Sequence, residues 1–188
     1  PTTATVNKEI TPGIQTVSLK SSSVEELFIT ADLRARDLAT VAKNAMDVVR
    51  GKNATVVTQT VFSPMGSDNA SVAVLKEAIG DSDWPVTWVD SGHRKGSPLG
   101  GMHIHAVSGA EVERITLADR SVGSIFQDDS ARYCYLGDLW SGEQLASRTE
   151  QADQTFDMME AALTLAGMDF SNVLRTWLYL DELLQWYG

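Results

Sequence analysis

Leu27-Phe28-Ile29-Thr30-Ala31-Asp32-Leu33, a helix-period stretch to Arg50-Gly51, and Val56-Val57-Thr58-Gln59-Thr60-Val61-Phe62 form a strand–helix–strand unit. The same order returns as Tyr133-Cys134-Tyr135-Leu136-Gly137-Asp138-Leu139, a helical stretch to Ala166-Gly167, and Val173-Leu174-Arg175-Thr176-Trp177-Leu178-Tyr179. An insertion of roughly ten residues near Trp140 to Glu150 separates otherwise parallel texts. Self-similarity at this scale predicts two units in tandem, and the remaining elements are read outward from it.

Within the first unit, Ile14 to Leu19 alternates as a strand does, and Ser21-Ser22-Ser23 supplies a turn before the strand Glu26 to Leu33. Asp37 is a good helix cap for the apolar positions Leu38, Val41, Ala42, Ala45, Met46, Val48 and Val49, with Gly51 placed as the closing glycine. Ala54 to Phe62 is β-branched and alternating, a strand stopped at Ser63-Pro64. A shorter helix over 68–80 and strands at Pro85 to Asp90 and Gly101 to Val107 complete the order ββαβαββ. The glycine-rich run Gly96 to Gly101 reads as a mobile connection. Residues 1–13 are polar, end in Pro12-Gly13, and form a tail able to add an edge strand.

The second unit begins near Ala110. Val112 to Leu117 alternates, Asp119-Arg120 turns, Tyr133 to Leu139 is a strand, and Ser141-Gly142-Glu143 turns again. The strongest helical stripe follows in Ala152, Thr155, Phe156, Met159, Ala162, Leu163, Leu165 and Ala166, closed by Gly167. Val173 to Leu180 reads as a strand, and Asp181 onward as the start of a helix. Beside the first unit, the second stops two strands short. Its edges are therefore expected to be completed by further sequence or by another chain. The division is 1–13 as tail, 14–109 as first unit and 110–188 as second.

The chain has 25 acidic and 15 basic side chains among 188 residues, a net charge of −10, with no basic cluster denser than His93-Arg94-Lys95. This balance argues against nucleic-acid and anionic-membrane partners. No apolar run approaches the roughly 20 residues of a membrane span. A single cysteine, Cys134, excludes an internal disulfide framework and suits a reducing cytoplasm.

Ser147 to Asp181, reading Ser-Arg-Thr-Glu-Gln-Ala-Asp-Gln-Thr-Phe-Asp-Met-Met-Glu-Ala-Ala-Leu-Thr-Leu-Ala-Gly-Met-Asp-Phe-Ser-Asn-Val-Leu-Arg-Thr-Trp-Leu-Tyr-Leu-Asp, resembles the helix and following strand of the YjgF/Rid family, the reactive-intermediate deaminases also known as endoribonuclease L-PSP-like proteins. The tandem layout resembles two-domain relatives that include chorismatases. The resemblance implies an α+β, chorismate-mutase-like fold with helices on one face of a mixed sheet. It further implies a homo-oligomer, a trimer in the family, with clefts between subunits, and a hydrolase acting on imines or enamines without a cofactor. In the family, an arginine holds the substrate carboxylate and a glutamate positions water.

Carried over position by position, the resemblance puts Thr87, in Pro85-Val86-Thr87, where the family has its arginine. His103, in Met102-His103-Ile104-His105-Ala106-Val107, stands in place of the glutamate. Phe126 falls near the family's glycine-proline-tyrosine, and Leu136-Gly137 near the serine-glycine of its cleft strand; Thr30 lies on the aligned strand of the first unit. The arginine and glutamate positions of the second unit fall beyond Gly188. His103 is thus the candidate catalytic residue, and Thr30, Thr87, His105, Phe126, Gly137 and Arg175 are candidate binding residues.

The residues by themselves support weaker versions of this picture. His103 and His105 project to one face of a strand, about 7 Å apart, as a neutral base would or as a metal pair given a third ligand; no metal site is expected. Asp128-Asp129 and Glu25-Glu26 read as solvated carboxylates. Arg175, with Trp177 and Tyr179 on its side of a strand, is the one cation placed to reach a cleft. Loss of both family residues leaves a noncatalytic ligand-binding or assembly module, or a chorismatase-like hydrolase, as alternatives to the deaminase.

Overall fold

A computed structural model describes residues 4–21, 23–34, 37–63, 69–90, 100–142 and 147–180. The protein is a mixed α+β chain built on two sheets. Strands β1 (Thr5–Thr11), β2 (Ile14–Ser21) and β3 (Val24–Ala31) form an antiparallel run, followed by helix α1 (Leu38–Gly51) and strand β4 (Thr55–Ser63). Helix α2 (Asn69–Ile79), β5 (Val86–Asp90) and β6 (Gly101–Ser108) complete the first sheet. Its order is β1-β2-β3-β6-β4-β5, antiparallel throughout except for the parallel pair β4–β5. The second sheet, β7 (Glu113–Leu117), β8 (Arg120–Gln127) and β9 (Arg132–Leu136), is antiparallel and is followed by helix α3 (Arg148–Leu165).

Period-two alternation places each strand's side chains. From β3, Leu27, Ile29 and Ala31 enter a core with Met102, Ile104 and Ala106 of β6 and with Val41, Ala42, Ala45 and Met46 of α1. The other face of the first sheet receives the second sheet. Val24, Val57 and Val107 meet Phe126, with Tyr133 and Tyr135 packed against them. Behind the second sheet, Ile115, Val122 and Ile125 pack on Ala162 and Ala166, at the end of α3. The layers therefore run helix pair, six-stranded sheet, three-stranded sheet, single helix.

A bulge in β4 joins the sheets. Its pairing with β6 shifts register between Val56 and Thr58, which turns two carbonyls away from the ladder. Arg114 Nη1 donates to the Val56 carbonyl at 2.8 Å, and Ser124 Oγ donates to that of Val57 at 2.6 Å. The buried acceptors freed by the bulge are thus met by the opposite sheet, as buried backbone groups require.

Several expectations are corrected. Gly51 ends α1 within the helix; the left-handed residue is Asn53, at φ 49°, whose N–H reaches the Arg50 carbonyl, because asparagine tolerates that conformation better than other side chains. The second hairpin turns at Ala118-Asp119, one residue before Asp119-Arg120, with φ 46° and 61° as a type I′ turn demands. Strand β8 is an element that the sequence pattern does not announce. The strand expected at Val173 to Leu180 pairs with no described strand. Edge strand β1 does form from the polar tail, exposed along its whole length. The connection at 96–99, the carboxyl-terminal helix from Asp181 and the His93-Arg94-Lys95 cluster lie outside the described residues. Among the described residues, no helix is long and apolar enough to cross a membrane.

Candidate functional site

Register across the first sheet assembles a polar row. Strand β6 lies between β3 and β4, and His103 pairs with Thr30 on one side and Thr60 on the other. Thr60 in turn pairs with Thr87 of β5. One step along, His105 is flanked by Phe28 and Thr58. Because directly opposed residues share a face, these side chains gather on the side away from α1 and α2. Toward the lower end of β6 the second sheet covers that face; at the upper end it stays open. The opening is a groove of about 140 Å³ lined by Phe28, Thr30, Thr58, Thr60, His103 and His105.

The two histidines have different surroundings. His105 is 7% exposed, and its Nε2 makes a 2.9 Å hydrogen bond with Glu26 Oε2. Its ring stacks on Phe28 at 4.6 Å, 4° from parallel, and meets the Tyr135 ring edge-on at 4.7 Å. Its Nδ1 is buried without a hydrogen-bond partner. Glu26 is therefore no merely solvated carboxylate, and neither is Glu25, which pairs with Lys52 at 3.1 Å. His103 is more open, its ring edge-on to Phe62 at 5.2 Å. Burial pushes its pKa below the usual histidine value, because desolvation disfavours the imidazolium, so the neutral ring with a free lone pair prevails at neutral pH.

The remaining candidates divide. Thr87 lies in the polar row, but its Oγ1 accepts the Asp138 N–H at 2.9 Å and is committed to the second sheet's end. Gly137 sits directly above: a Cβ there would lie 3.0 Å from Thr87 Oγ1 and 3.4 Å from Thr58 Oγ1, so the glycine permits a close approach of backbone to sheet. Phe126 is 2% exposed, with its ring 6.1 Å from that of His105, and belongs to the packing behind the groove. Arg175 is not brought to the groove. It lies in the unpaired 173–180 segment with its guanidinium 5.6 Å from the Trp177 ring centroid.

Sequence reasoning misses Thr58, Thr60 and Glu26, and with them Phe28, which stacks on His105. Thr58 and Thr60 alternate on β4 but gain meaning only once β4 is known to pair with β6, a strand far along the chain. Glu26 is visible in the sequence, yet its partner is 79 residues away. Asp128 caps the β8–β9 turn, accepting from the Ser130 and Ala131 N–H groups, and these bonds hold its carboxyl below the usual range; this is a structural assignment for that carboxylate. No cluster of metal-ligating side chains occurs among the described residues.

A larger groove of about 260 Å³ opens at the β5 edge, between α2 and the start of β8, lined by Trp84, Trp88, Lys76, Arg120, Ser121 and Asp138. Its charges are largely internal: Arg120 donates to the Asp138 carboxylate at 2.7 Å and stands over Trp140. Trp84 Nε1 donates to Gln59 Oε1 at 2.9 Å. Its carboxylate and guanidinium are thus spent on each other, whereas the smaller groove presents an open imidazole between hydroxyls. The smaller groove is the better chemical candidate despite its size.

No protein-family model matches the chain, and no curated protein matches it at a significant level.

Proposed function

We propose that the chain carries two YjgF-like units in tandem and that the Thr30–His103–Thr60 groove binds a small polar molecule and promotes addition of water to its C=N bond. Two parallels of order support the tandem reading: each sheet begins with three antiparallel strands, and each such run leads into a helix. The observation that carries the chemistry is the half-exposed His103, with its pKa lowered by burial, set between two threonine hydroxyls.

His103 acts as general base. It takes a proton from water as the oxygen bonds to the imine carbon, and the C=N π pair moves to nitrogen, which is protonated. Collapse of the resulting carbinolamine forms the carbonyl and expels ammonia, so one imine and one water yield one carbonyl compound and one ammonia. Thr30 and Thr60 hold the substrate or the water by hydrogen bonds. A noncatalytic binding module is the second reading, favoured by the absence of any lysine or arginine among the described residues lining this groove.

Ammonia release from 2-iminobutyrate, formed in situ, separates the two. The enzyme reading expects turnover above buffer that His103→Ala lowers by about 100-fold or more, the usual contribution of a general base. Saturable binding of the substrate with ammonia release no faster than buffer would leave the binding module.

A further inference from the structure

The larger groove lies at an open sheet edge. Strand β5 pairs with β4 on one side and with no described strand on the other, and the groove opens beside it, with α2 and the start of β8 as its banks. Two tryptophans form part of the wall. Trp88 stands on β5 at 38% exposure, where an edge strand more often carries a charge. Trp84 is held from within the core: its Nε1 donates to Gln59 Oε1 at 2.9 Å, and Gln59, 1% exposed, sets its Nε2 against Met102 Sδ at 3.5 Å. The Trp84 ring is thus placed before any ligand arrives, which spares the cost of ordering it on binding.

Two polar groups of the lining are uncommitted. Ser121 Oγ is buried with no hydrogen-bond partner, a costly state that an incoming group able to accept its proton would relieve. Lys76, in the last turn of α2, makes no ion pair among the described residues. The other charges are taken. Arg120 holds Asp138 at 2.7 Å, and Asp83, the neighbour of Trp84, is held by Arg114 at 2.9 Å. The described lining therefore carries two cations against one carboxylate, a local positive excess on a chain of net charge −10.

We propose that this groove binds a two-ring aromatic acid, with its rings against Trp84 and Trp88 and its carboxylate met by the Lys76 ammonium and the Ser121 hydroxyl. Indole faces favour a flat ring. The unpaired ammonium favours an anion and repels an amine, and a hydroxyl donating to a carboxylate makes one of the stronger hydrogen bonds. Size sets the ring count: an apolar cavity of about 150 Å³ takes benzene, and the about 260 Å³ here leaves room for a second fused ring and its acid group. The described lining has no histidine and its one carboxylate is bound to Arg120, so the assignment is binding without turnover. This inference does not depend on any catalytic reading of the smaller groove.

The test is calorimetric titration of the full chain with 2-naphthoate at neutral pH and low salt, with 2-naphthamide as the uncharged counterpart. The proposal expects one naphthoate per chain and an amide that binds roughly fivefold more weakly. Lys76→Met should weaken the acid roughly fivefold and leave the amide unchanged, the signature of a charge contact at an exposed site. Ser121→Ala should weaken the acid about tenfold, and the hydroxyl it removes has no partner to lose. Trp88→Thr, which keeps a strand-forming side chain, should weaken acid and amide alike, and His103→Ala should change neither. No saturable binding, an amide bound as tightly as the acid, parent-like affinity in Lys76→Met, Ser121→Ala or Trp88→Thr, or binding lost in His103→Ala, which would move the acid to the smaller groove, would each overturn it.

Discussion

His103 is the residue on which the functional reading turns, and its surroundings make a measurable demand. Its folded pKa lies below the unfolded value of about 6.5, so between those two values the unfolded chain binds more protons than the folded one. Stability from this group is therefore fully present above about pH 6.5 and declines as pH falls through the folded pKa. Urea denaturation as a function of pH should show that decline, and His103→Gln should flatten it; an identical slope in the variant would mean that the ring is freely solvated. At this scale the sequence is informative about direction and silent about neighbours. Period-two spacing puts His103 and His105 on one face without any structure. What separates an open base from a buried, carboxylate-bound ring is contact with Glu26, Phe28 and Tyr135, all distant in sequence and brought together only by the order β3-β6 and the packing of the second sheet.

Among the elements, α3 is a long helix held lightly by the rest of the molecule. Of its residues only Ala162 and Leu163 are buried, while Phe156 and Leu165 are 44% and 61% exposed, so its first half depends on local bonds. Those are supplied by a capping box: Ser147 Oγ accepts the Glu150 N–H, and the Glu150 carboxylate accepts the Ser147 N–H at 3.0 Å. Ser147→Ala should cost about 1 kcal/mol and speed amide exchange over 148–156 more than over 160–165. Equal acceleration along the helix would show that tertiary contacts, and not the cap, hold its start. The stripe of apolar residues makes α3 easy to find in the sequence and overstates its burial. Strand β8 is the opposite case. Val122 to Phe126 is buried on both faces, one against α3 and one against the first sheet, so Ser121, Gly123 and Ser124 interrupt any alternation that would mark it. At Val173 to Leu180, propensity points to a strand, but a strand needs a neighbour and none is present among the described residues.

For the whole molecule, the seam between the sheets sets cooperativity. Arg114, 17% exposed, spans it with bonds to the Val56 carbonyl, to Ser124 Oγ at 2.8 Å and to Asp83 at 2.9 Å. Arg114→Met keeps the stem and leaves the bulge carbonyl buried without this donor. The expected loss is about 1.5–3 kcal/mol, the scale for hydrogen bonds from charged groups, together with a broader denaturation transition as the sheets begin to unfold separately. A sharp, unshifted transition would assign the joint to the apolar contacts of Val57, Val107 and Phe126 alone. The layered α+β class is legible from the element order; the face-to-face stacking is less so, because part of it rests on a bulge in β4 that frees two carbonyls, and carbonyls leave no mark in a sequence.

Cys134 faces α3 from β9, half-buried among the apolar residues behind the second sheet, and burial pushes its thiol pKa up. Only the thiolate reacts readily, so a raised pKa slows attack on this half-buried sulfur and parting of the layer above it would quicken that attack. The chain's one thiol is thus a reporter placed under α3: its alkylation should speed up as that helix lifts from the sheet.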